Sequence, residues 1–305
     1  MSDATITLPA FAKINLTLRV LGKRADGYHD LETIFQTVSL HDTIKITLLD
    51  QPHIILSCSD RSLSPGEDNL VIRAARALQR RFAPQRGARV HLEKRIPFQA
   101  GLGGGSSDAA VTLIGLAALL ALTATKEDFL AIASQLGADV PLFLFGGMIR
   151  GTGIGDQLEP LADLPEKFLL ILKPNASVST SDAYKALDER SLTTPNSKTI
   201  LSTSPRSKIF DKADFASLTN DFEVVAFNLA PEIRRARAAL LRAGANAALL
   251  AGSGSAVFGI FDSEDAQRRA IQAIELETGW RVFPCRTVGR SEYEAAMPLR
   301  TEARA

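Results

Sequence analysis

The sequence predicts an α+β protein with two domains, and three observations lead to this prediction. The first third of the 305-residue chain has mostly the alternation of apolar and polar residues that is typical of strands. From residue 167 onward, compact apolar strands alternate with amphipathic helices, which indicates an α/β sandwich with helices on one face. Residues 155–166 are polar and contain two prolines. We therefore expect residues 1–160 and 161–305 to form separate domains.

The composition is that of an ordinary globular protein, with 46% hydrophobic and 23% charged residues. The net charge of +1 gives no general attraction to nucleic acid or to an anionic membrane, so a negative ligand needs a local site. Cys58 and Cys285 lack the spacing of a metal site, and we expect reduced, structural thiols. The first residues lack a secretory pattern, and the apolar run 109–125 predicts a buried helix rather than a membrane span. These features predict a cytoplasmic protein.

In the first domain, four segments have strand-like patterns: 16–22, 43–49, 53–59 and 89–96. Because only residues 50–52 separate the second and third segments, we expect these two to pair with each other. A helix is predicted over 69–82, where an apolar stripe faces away from several arginines.

Further signals follow in the same domain. Thr125 and Asp128 have the spacing of a capping box, which predicts a helix that ends at Gly137. Residues 141–155 predict a strand followed by a glycine-rich hairpin or loop.

The second domain is predicted from alternating strands and helices. The expected strands are 167–174, 247–251, 256–261 and 280–288, and the expected helices are 182–187, 231–244 and 263–277. Residues 188–208 are rich in Ser, Thr, Pro and Lys, and they predict a mobile loop.

The strongest functional signal is the segment PFQAGLGGGSSDAAVTL at 97–113, which has four glycines within 101–105 and then two serines before an apolar helix. Free amides and the dipole at a helix start attract anions, and glycine lets an anion approach the backbone closely. A tight turn would need only one or two glycines, so we expect an anion site. Ser106 or Ser107 could cap the helix, donate to phosphate or bind magnesium. The pattern matches neither a Walker loop, nor a dinucleotide fingerprint, nor a nucleophile elbow.

Three segments resemble the motifs of one kinase superfamily, the galacto-, homoserine, mevalonate and phosphomevalonate (GHMP) kinases. Residues 11–44 resemble its first motif, residues 97–110 its second, and LLAGSGSAVFGIF at 249–261 its third. The resemblance implies a two-domain GHMP-kinase fold with an N-terminal domain similar to a small-subunit ribosomal protein domain. It also implies a ferredoxin-like C-terminal domain and an active site in the cleft between the two.

Within the first motif, AKINL and RADGYHDLETIFQ resemble the members that act on a cytidine-diphosphate-linked polyol of non-mevalonate isoprenoid synthesis. The resemblance implies ATP-dependent phosphorylation of a free hydroxyl. Two alternatives stay open: a kinase for another small alcohol such as mevalonate or homoserine, and a nucleotide-binding regulator without turnover. The expected partners are therefore small molecules, with no nucleic acid and no membrane.

The resemblance also implies roles for individual residues. Asp139 in GADVP would accept the hydroxyl proton, and Lys13 would keep that carboxylate ionised and stabilise the developing alkoxide. Without the resemblance, Asp139 could equally be a turn residue, and Lys13 could equally be a solvent-exposed lysine on a strand. Asn15 would bind the substrate near Lys13.

The nucleotide ends of the two substrates have implied sites as well. His29 would bind the cytosine edge, Tyr28 would stack on the base, and Tyr184 would cover its other face. The residues expected to bind ATP are Pro97, Phe98, Gln99, Ala100, Gly101, Leu102, Gly103, Gly104, Gly105, Ser106 and Ser107, together with Asn69, Leu70 and Lys94. The residues of the third motif expected beside the phosphates are Gly252, Ser253 and Gly254.

Magnesium is expected as the companion of ATP. Many relatives place a glutamate beside the loop serine as a metal ligand, and this sequence has no recognisable counterpart. No protein ligand is therefore assigned beyond a loop serine. Asp108 lies next to the presumed anion site, where it would repel phosphate, and we expect its side chain to point away.

Overall fold

Two β-sheets organise residues 4–193 and 218–298, the part of the chain that the computed structural model describes. The strands in chain order are β1 (Thr5–Lys23), β2 (His29–Leu49), β3 (Ile54–Cys58), β4 (Gly87–Glu93), β5 (Met148–Thr152), β6 (Gln157–Pro160), β7 (Phe168–Lys173), β8 (Thr219–Asn220), β9 (Ala247–Leu250), β10 (Val257–Phe261) and β11 (Arg281–Arg286). Strands β1 to β6 and β8 form the first sheet, and β7, β9, β10 and β11 form the second.

Most helices lie between these strands, and one follows the last strand. They are α1 (Leu70–Phe82), α2 (Gly104–Leu119), α3 (Lys126–Leu136), α4 (Thr180–Thr193), α5 (Glu223–Leu229), α6 (Pro231–Arg242), α7 (Glu264–Ala273) and α8 (Arg290–Ala296). A short 3-10 helix spans Pro141–Leu144. The α+β fold class predicted from the sequence is confirmed.

A long antiparallel hairpin of β1 and β2 is the central feature of the first sheet. Its register pairs Lys23 with His29 near the turn and Lys13 with Thr37 further along. Bulges follow Phe11 and Asn15, and a bulge re-aims the side chains beside it. The hairpin therefore carries residues of the predicted first motif at two well-separated levels.

The predicted pairing of 53–59 with 43–49 is wrong. Strand β3 pairs in parallel with β4, and β4 lies between β3 and β2. The reason is that α1 connects β3 to β4 as a crossover, and parallel neighbours require such a connection. After the short turn that follows β2, the chain enters β3 at the edge of the sheet, and the position between β2 and β3 is filled later by β4.

Helix α2 lies under the first sheet and is buried from Ser107 to Ala117. This position explains why its sequence is apolar on every side, as expected for a buried helix. The sequence predicts a helix from Ser106 or Ser107 onward, and the structure shows that it begins earlier, at Gly104. Among the described residues, no helix has the length and apolar character that crossing a membrane requires.

The second sheet has the order β11-β7-β10-β9 with every pair antiparallel. Its two faces are both apolar. Leu170 and Leu172 of β7 pack in a cluster with residues of α6 and α7, while Leu169 and Ile171 pack in a cluster with Ile14 of β1. The side with α6 and α7 matches the predicted one-sided helical layer, and the other side is buried against the first sheet.

Several local predictions need correction. Residues 141–144 form a 3-10 helix instead of a strand, because Pro141 favours the first turn of a helix. Helix α4 continues to Thr193, so residues 188–193 are helical; the remainder of the predicted loop, 194–208, lies outside the described residues. Helices α5 and α8 had no prediction. Cys58 and Cys285 are free thiols, as predicted.

Candidate active site

A cleft of about 780 Å³ opens beside the β1–β2 hairpin and brings together residues that are far apart in sequence. The predicted site residues that line it are Lys13, Asn15, Tyr28, His29, Gly101, Gly103, Ser106, Asp139, Tyr184, Gly252 and Ser253. All three predicted motifs therefore contribute to one cavity. The cleft also contains residues that had no prediction, among them Lys23, Thr33, Thr180, Lys185, Asp188 and Phe222.

Lys13 and Asp139 face each other in this cleft. The Nζ atom of Lys13 lies 3.9 Å from Oδ2 of Asp139. Lys13 is almost fully buried on β1, whereas the Asp139 side chain keeps 40% of its surface exposed in the turn between α3 and the 3-10 helix. Burial lowers the pKa of Lys13, and the charge of Asp139 opposes that shift.

A chain of hydrogen bonds fixes the buried side of Lys13. Its Nζ donates to Oδ1 of Asn15 at 2.8 Å, and Nδ2 of Asn15 donates to Oγ1 of Thr33 at 2.8 Å. Thr33 in turn donates to the carbonyl of Thr17 at 2.7 Å. Because Lys13, Asn15 and Thr33 are linked in series by these hydrogen bonds, the Lys13 ammonium is held at a defined point of the cleft wall.

The glycine loop presents the start of α2 to the cleft. Gly103 is the N-cap residue with a φ of 70°, and no side chain caps the first amides of the helix. Uncapped amides and the helix dipole together favour an anion at this position.

The same loop presses against the third motif. A Cβ atom at Gly101 would lie 1.9 Å from the carbonyl oxygen of Ala251, and a Cβ at Gly103 would lie 2.8 Å from the ring of Phe143. The amide of Ala256 donates to the carbonyl of Ala100 at 3.2 Å. Glycine at position 101 is therefore required by the close approach of two backbones as well as by its φ of 77°.

The two loop serines have different surroundings. Ser106 lines the cleft, whereas Ser107 is fully buried, and its Oγ has no hydrogen-bond partner among the described residues. Of the two serines, only Ser106 lines the cleft.

The third motif is held in place by Asn220 of β8. The Nδ2 atom of Asn220 donates to the carbonyls of Leu250 and Gly252 at 2.9 and 2.7 Å. Oγ of Ser253 lies 3.0 Å from Oγ1 of Thr180 at the start of α4. A Cβ at Gly252 would lie 3.4 Å from Nζ of Lys13, so this turn borders the Lys13–Asp139 pair.

Lys94 does not line the cleft. Its ammonium is buried between Asp42 and Asp108, with Nζ donating to Oδ2 of Asp108 at 2.8 Å and also to Oδ2 of Asp42. Oδ1 of Asp42 accepts from the amides of Arg95 and Ile96. Lys94 thus has two buried carboxylate partners, and its role in ATP binding stays a prediction. Asp108 points into the protein interior, away from the cleft, as expected.

The remaining predicted ATP residues lie around the loop rather than on the cleft wall. Asn69 is the N-cap of α1, where its side chain accepts from the amide of Val71 at 3.0 Å. The other residues outside the cleft lining are Leu70, Pro97, Phe98, Gln99, Ala100, Leu102, Gly104, Gly105, Ser107 and Gly254. Leu102 is buried, and its carbonyl accepts from the amide of Lys13, which joins the loop to β1. Their roles in ATP binding stay predictions.

An aromatic wall forms the opposite end of the cleft. The rings of His29 and Tyr184 are stacked with centroids 4.7 Å apart, and Phe222 meets Tyr184 edge-on at 4.8 Å. Tyr28 stands at the mouth with 61% of its surface exposed. Burial raises the pKa of the Tyr184 hydroxyl to about 12, and the Asp139 charge adds to the shift.

Asp188 is a site residue that the sequence reasoning missed. Its Oδ1 lies 2.7 Å from Nε2 of His29, and its Oδ2 accepts from Nζ of Lys23 at 2.6 Å. The hydrogen bond from Lys23 lowers the pKa of Asp188, and the bond from His29 lowers it further. The residue was assigned to a mobile loop, so no sequence signal pointed to it.

The described residues hold no group of three or more His, Cys, Asp or Glu side chains placed to bind a metal ion. Magnesium in phosphoryl-transfer sites is usually bound by one or two protein ligands, with substrate phosphates and water completing its shell. Ser106 lines the cleft beside the uncapped amides of α2, and its hydroxyl would be one such protein ligand.

Comparison with known proteins shows the family to which the chain belongs. The model for the GHMP kinases N terminal domain matches residues 69–147, and the model for the GHMP kinases C terminal domain matches residues 206–278. A 4-diphosphocytidyl-2-C-methyl-D-erythritol kinase of Geobacter sp. (strain M21) is 42% identical over 283 residues, which cover 93% of this chain and 99% of that protein. The chain belongs to this kinase family. The predicted GHMP resemblance is thereby confirmed.

Other relatives extend the same result. A 4-diphosphocytidyl-2-C-methyl-D-erythritol kinase of Solibacter usitatus (strain Ellin6076) is 42% identical over 291 residues, covering 94% of this chain and 90% of that protein. A crystal structure of a 4-(cytidine 5'-diphospho)-2C-methyl-D-erythritol kinase superposes with a TM-score of 0.78 at 34% identity, covering 93% of this chain and all of that one. A homoserine kinase from Cytophaga hutchinsonii superposes over 96% of this chain and 97% of its own with a TM-score of 0.64, but at 18% identity it shows only the shared fold. Membership of the 4-diphosphocytidyl-2-C-methyl-D-erythritol kinase family therefore rests on both sequence and structure.

Proposed function

We propose that this protein is an ATP-dependent kinase that phosphorylates the 2-hydroxyl of 4-(cytidine 5'-diphospho)-2-C-methyl-D-erythritol. The observation that carries the proposal is one cleft in which the Lys13–Asp139 pair lies between the glycine loop and the wall formed by His29 and Tyr184. A donor phosphate, an acceptor hydroxyl and a base could each occupy its own part of that cleft. The reaction is a step of non-mevalonate isoprenoid precursor synthesis.

The triphosphate of ATP would lie over the start of α2. The uncapped amides after Gly103 and the turn at Gly252 and Ser253 supply hydrogen-bond donors and positive potential on two sides of the anion. Magnesium would be held by the phosphates and the Ser106 hydroxyl, and it supplies neutralisation of the charge on the transferring phosphoryl group.

Asp139 would act as the general base. Its carboxylate is partly exposed in the cleft and lies 3.9 Å from the Nζ atom of Lys13. It would accept the proton of the hydroxyl as the oxygen attacks the phosphorus atom of the transferring group.

Lys13 would stabilise the oxygen that loses this proton. Asn15 and Thr33 fix its ammonium from the buried side, so the charge is preorganised toward the cleft before substrate binds. A fixed charge in a partly buried site acts more strongly on a developing alkoxide than a mobile lysine in water would.

The cytidine end would occupy the aromatic wall. His29 would contact the edge of the base, with Tyr28 and Tyr184 on its faces, while Asn15 would bind the polyol near Lys13. A cytoplasmic location is part of the same proposal, because the two free thiols suit a reducing compartment.

The test is a phosphate-transfer assay that sets the cytidine-linked methylerythritol beside mevalonate and homoserine, each with ATP and magnesium. We expect turnover with the cytidine-linked substrate alone. Equal or better turnover with mevalonate or homoserine would support the alternative of a kinase for another small alcohol. Absence of turnover with all three, with ATP still bound, would support a regulator instead.

A further inference from the structure

The imidazole of His29 is held by groups on two sides. Asp188 of α4 contacts Nε2 at 2.7 Å, and the ring of Tyr184 stacks on one face at 4.7 Å. Lys23 donates to the second oxygen of the Asp188 carboxylate at 2.6 Å, which leaves Oδ1 directed at the imidazole. His29 is only 8% exposed, so the ring has one orientation in the cleft wall.

This contact decides which nitrogen of His29 carries the hydrogen. An ionised carboxylate only accepts hydrogen bonds, so Nε2 must donate to Asp188. In the neutral imidazole, the other nitrogen is then an acceptor. The Nδ1 atom has no hydrogen-bond partner within residues 4–193 and 218–298, and His29 lines the cleft. The site therefore offers one fixed acceptor at its base-binding end.

A fixed acceptor distinguishes the two pyrimidines. Cytosine carries an amino group at C4, which donates hydrogen bonds, whereas uracil carries a carbonyl oxygen at the same position, which only accepts them. Nδ1 would bond to the cytosine amino group but would face the lone pairs of the uracil oxygen. A site built around one hydrogen bond rejects a ligand that leaves that bond unmade.

We propose that Asp188 is a positioning residue that makes the enzyme select cytosine over uracil by holding His29 with its hydrogen on Nε2. The inference rests on the proposed function, because it assumes that the base of the acceptor substrate lies against His29. Asp188 itself touches neither the base nor the reacting hydroxyl in this arrangement. Its effect on binding passes through the imidazole.

The test compares Asp188→Asn with the wild type on the cytidine-diphosphate-linked methylerythritol and on its uridine counterpart. The asparagine amide can turn its NH₂ toward Nε2, which moves the hydrogen to Nδ1 and converts the fixed acceptor into a donor. We expect the ratio of kcat/KM for cytidine over uridine to fall about tenfold or more, the size expected for one lost hydrogen bond. The change should lie in KM, with kcat altered less than about twofold, because the reacting groups are untouched.

The matched control is Asp30→Asn. Asp30 follows His29 directly in sequence, but its carboxylate bonds to Arg24 at the surface and does not line the cleft. This variant removes the same charge near the same histidine, and we expect its ratio to equal that of the wild type. A ratio in Asp188→Asn that equals the wild-type ratio would overturn the inference.

A spectroscopic readout is independent of turnover. Nitrogen NMR of enzyme labelled in its 4 histidines, with His29→Gln for assignment, reports which imidazole nitrogen is protonated. We expect hydrogen on Nε2 in the wild type and on Nδ1 in Asp188→Asn. Hydrogen on Nδ1 of wild-type His29, or on both nitrogens, would overturn the inference.

Failure of the proposed function is recognised separately. It would show as absent turnover of the cytidine-linked substrate by the wild type. Binding of cytidine diphosphate and uridine diphosphate, measured by calorimetry, would then test Asp188 alone. Equal preference in the wild type and in Asp188→Asn would overturn the inference, and a preference that only the wild type shows would support it.

Discussion

At the scale of single residues, the proposed chemistry depends on a buried lysine that lies beside an exposed carboxylate. Lys13 is buried on β1, so it loses most of its hydration. Its ammonium contacts Asn15 and Asp139 instead of water. Asp139 keeps enough exposure to meet a substrate hydroxyl. Lys13 is thus fixed by the protein, whereas Asp139 is available to the ligand.

The first prediction concerns Asp139. Asp139→Asn keeps the shape of the side chain but removes the proton acceptor, so we expect kcat to fall by about 10² to 10⁴-fold, the usual contribution of a general base. ATP affinity should change little, because the amides of the glycine loop are intact. Steady-state kinetics and equilibrium ATP binding check this. Asp262→Asn is the control, since Asp262 is exposed and does not line the cleft; near-normal turnover of Asp139→Asn would contradict the base assignment.

The second prediction follows from the lowered pKa of Lys13. At pH values between that lowered pKa and 10.5, the unfolded chain holds a proton on Lys13 that the native protein has released. The free energy of unfolding of the wild type therefore rises with pH in this range. Lys13→Met lacks this dependence, so the wild type should gain stability relative to the variant between neutral pH and pH 10.5.

Urea unfolding of both proteins at the two pH values measures this difference. A difference in unfolding free energy that stays constant or shrinks as the pH rises would show that burial does not lower the Lys13 pKa.

At the scale of elements, the glycine loop and the third motif are interlocked through their backbones. The carbonyl of Ala251 occupies the place of a Cβ at Gly101. The position of the loop at the start of α2 is therefore set by β9 and the turn after it, and two parts of the presumed phosphate site move as one unit.

The third prediction compares two glycines of this loop. Gly101→Ala places a Cβ 1.9 Å from a backbone oxygen, so we expect a lower melting temperature and an increase of at least about tenfold in KM for ATP. Gly105→Ala meets no atom closer than 3.8 Å in the first turn of α2, so its melting temperature should equal or exceed that of the wild type. Differential scanning calorimetry and ATP kinetics check both variants. Equal melting temperatures for the two would contradict the interlocked arrangement.

The fourth prediction concerns the buried ion pairs beneath the loop. Burial and the charge of Asp42 raise the pKa of Asp108 to about 8, although Lys94 opposes the shift. Between pH 3.8 and about 8 the native protein then holds a proton that the unfolded chain has lost, so this group contributes stability that is lost as the pH rises. Asp108→Asn lacks this loss, and we expect the wild type to lose more than about 1 kcal/mol relative to the variant over that range.

Chemical unfolding at several pH values measures the effect. Parallel pH dependence of the two proteins would contradict the raised pKa of Asp108.

The elements that the sequence predicted well are those whose signals are local. The cap at Thr125 and the end at Gly137 delimit α3 as expected, with the capping box present. The pairing of β3 was wrong because strand partners depend on the crossover through α1, which no local pattern reports. Residues 141–144 misled because an apolar run of four residues suits a strand and a buried turn of helix equally well.

The site residues that belong to recognisable sequence motifs could be predicted. Lys13, His29 and Asp139 came from such motifs and meet in one cleft. Asp188 stands in a polar, motif-free segment, and its contact with His29 spans 159 positions of sequence. Only the packing of α4 against the hairpin reveals that contact.

At the scale of the whole molecule, the cleft is built from both sheets and their connections. The hairpin and the glycine loop contribute one wall, and α4 with the third motif contributes the other. The face of the second sheet that carries Leu169 and Ile171 packs against β1, so one apolar cluster lies behind both walls of the cleft. Substrate should therefore stabilise the two halves together.

The fifth prediction tests this coupling. The cytidine-linked substrate at about 100 times its dissociation constant should raise the free energy of unfolding by about 2.7 kcal/mol. Hydrogen exchange should show protection of amides in β1 and in α4 together. His29→Ala, at the same substrate concentration, should show a smaller increase, about 1.4 kcal/mol for a tenfold loss of affinity, and weaker protection in both elements. Protection confined to one sheet would contradict a shared site.

The β1–β2 hairpin also works as a molecular ruler. The hairpin carries Lys13 at one level and His29 at another, so strand geometry of about 3.3 Å per residue, modified at the bulges, sets the spacing between them. Rocking of one sheet on the other would widen the opening but leave that spacing unchanged. In the proposed binding mode, a substrate with a shorter or longer connection between its base and its reacting hydroxyl would fit only after residues are inserted into or deleted from the hairpin. Substitution of side chains at the mouth of the cleft would leave the spacing between Lys13 and His29 unchanged.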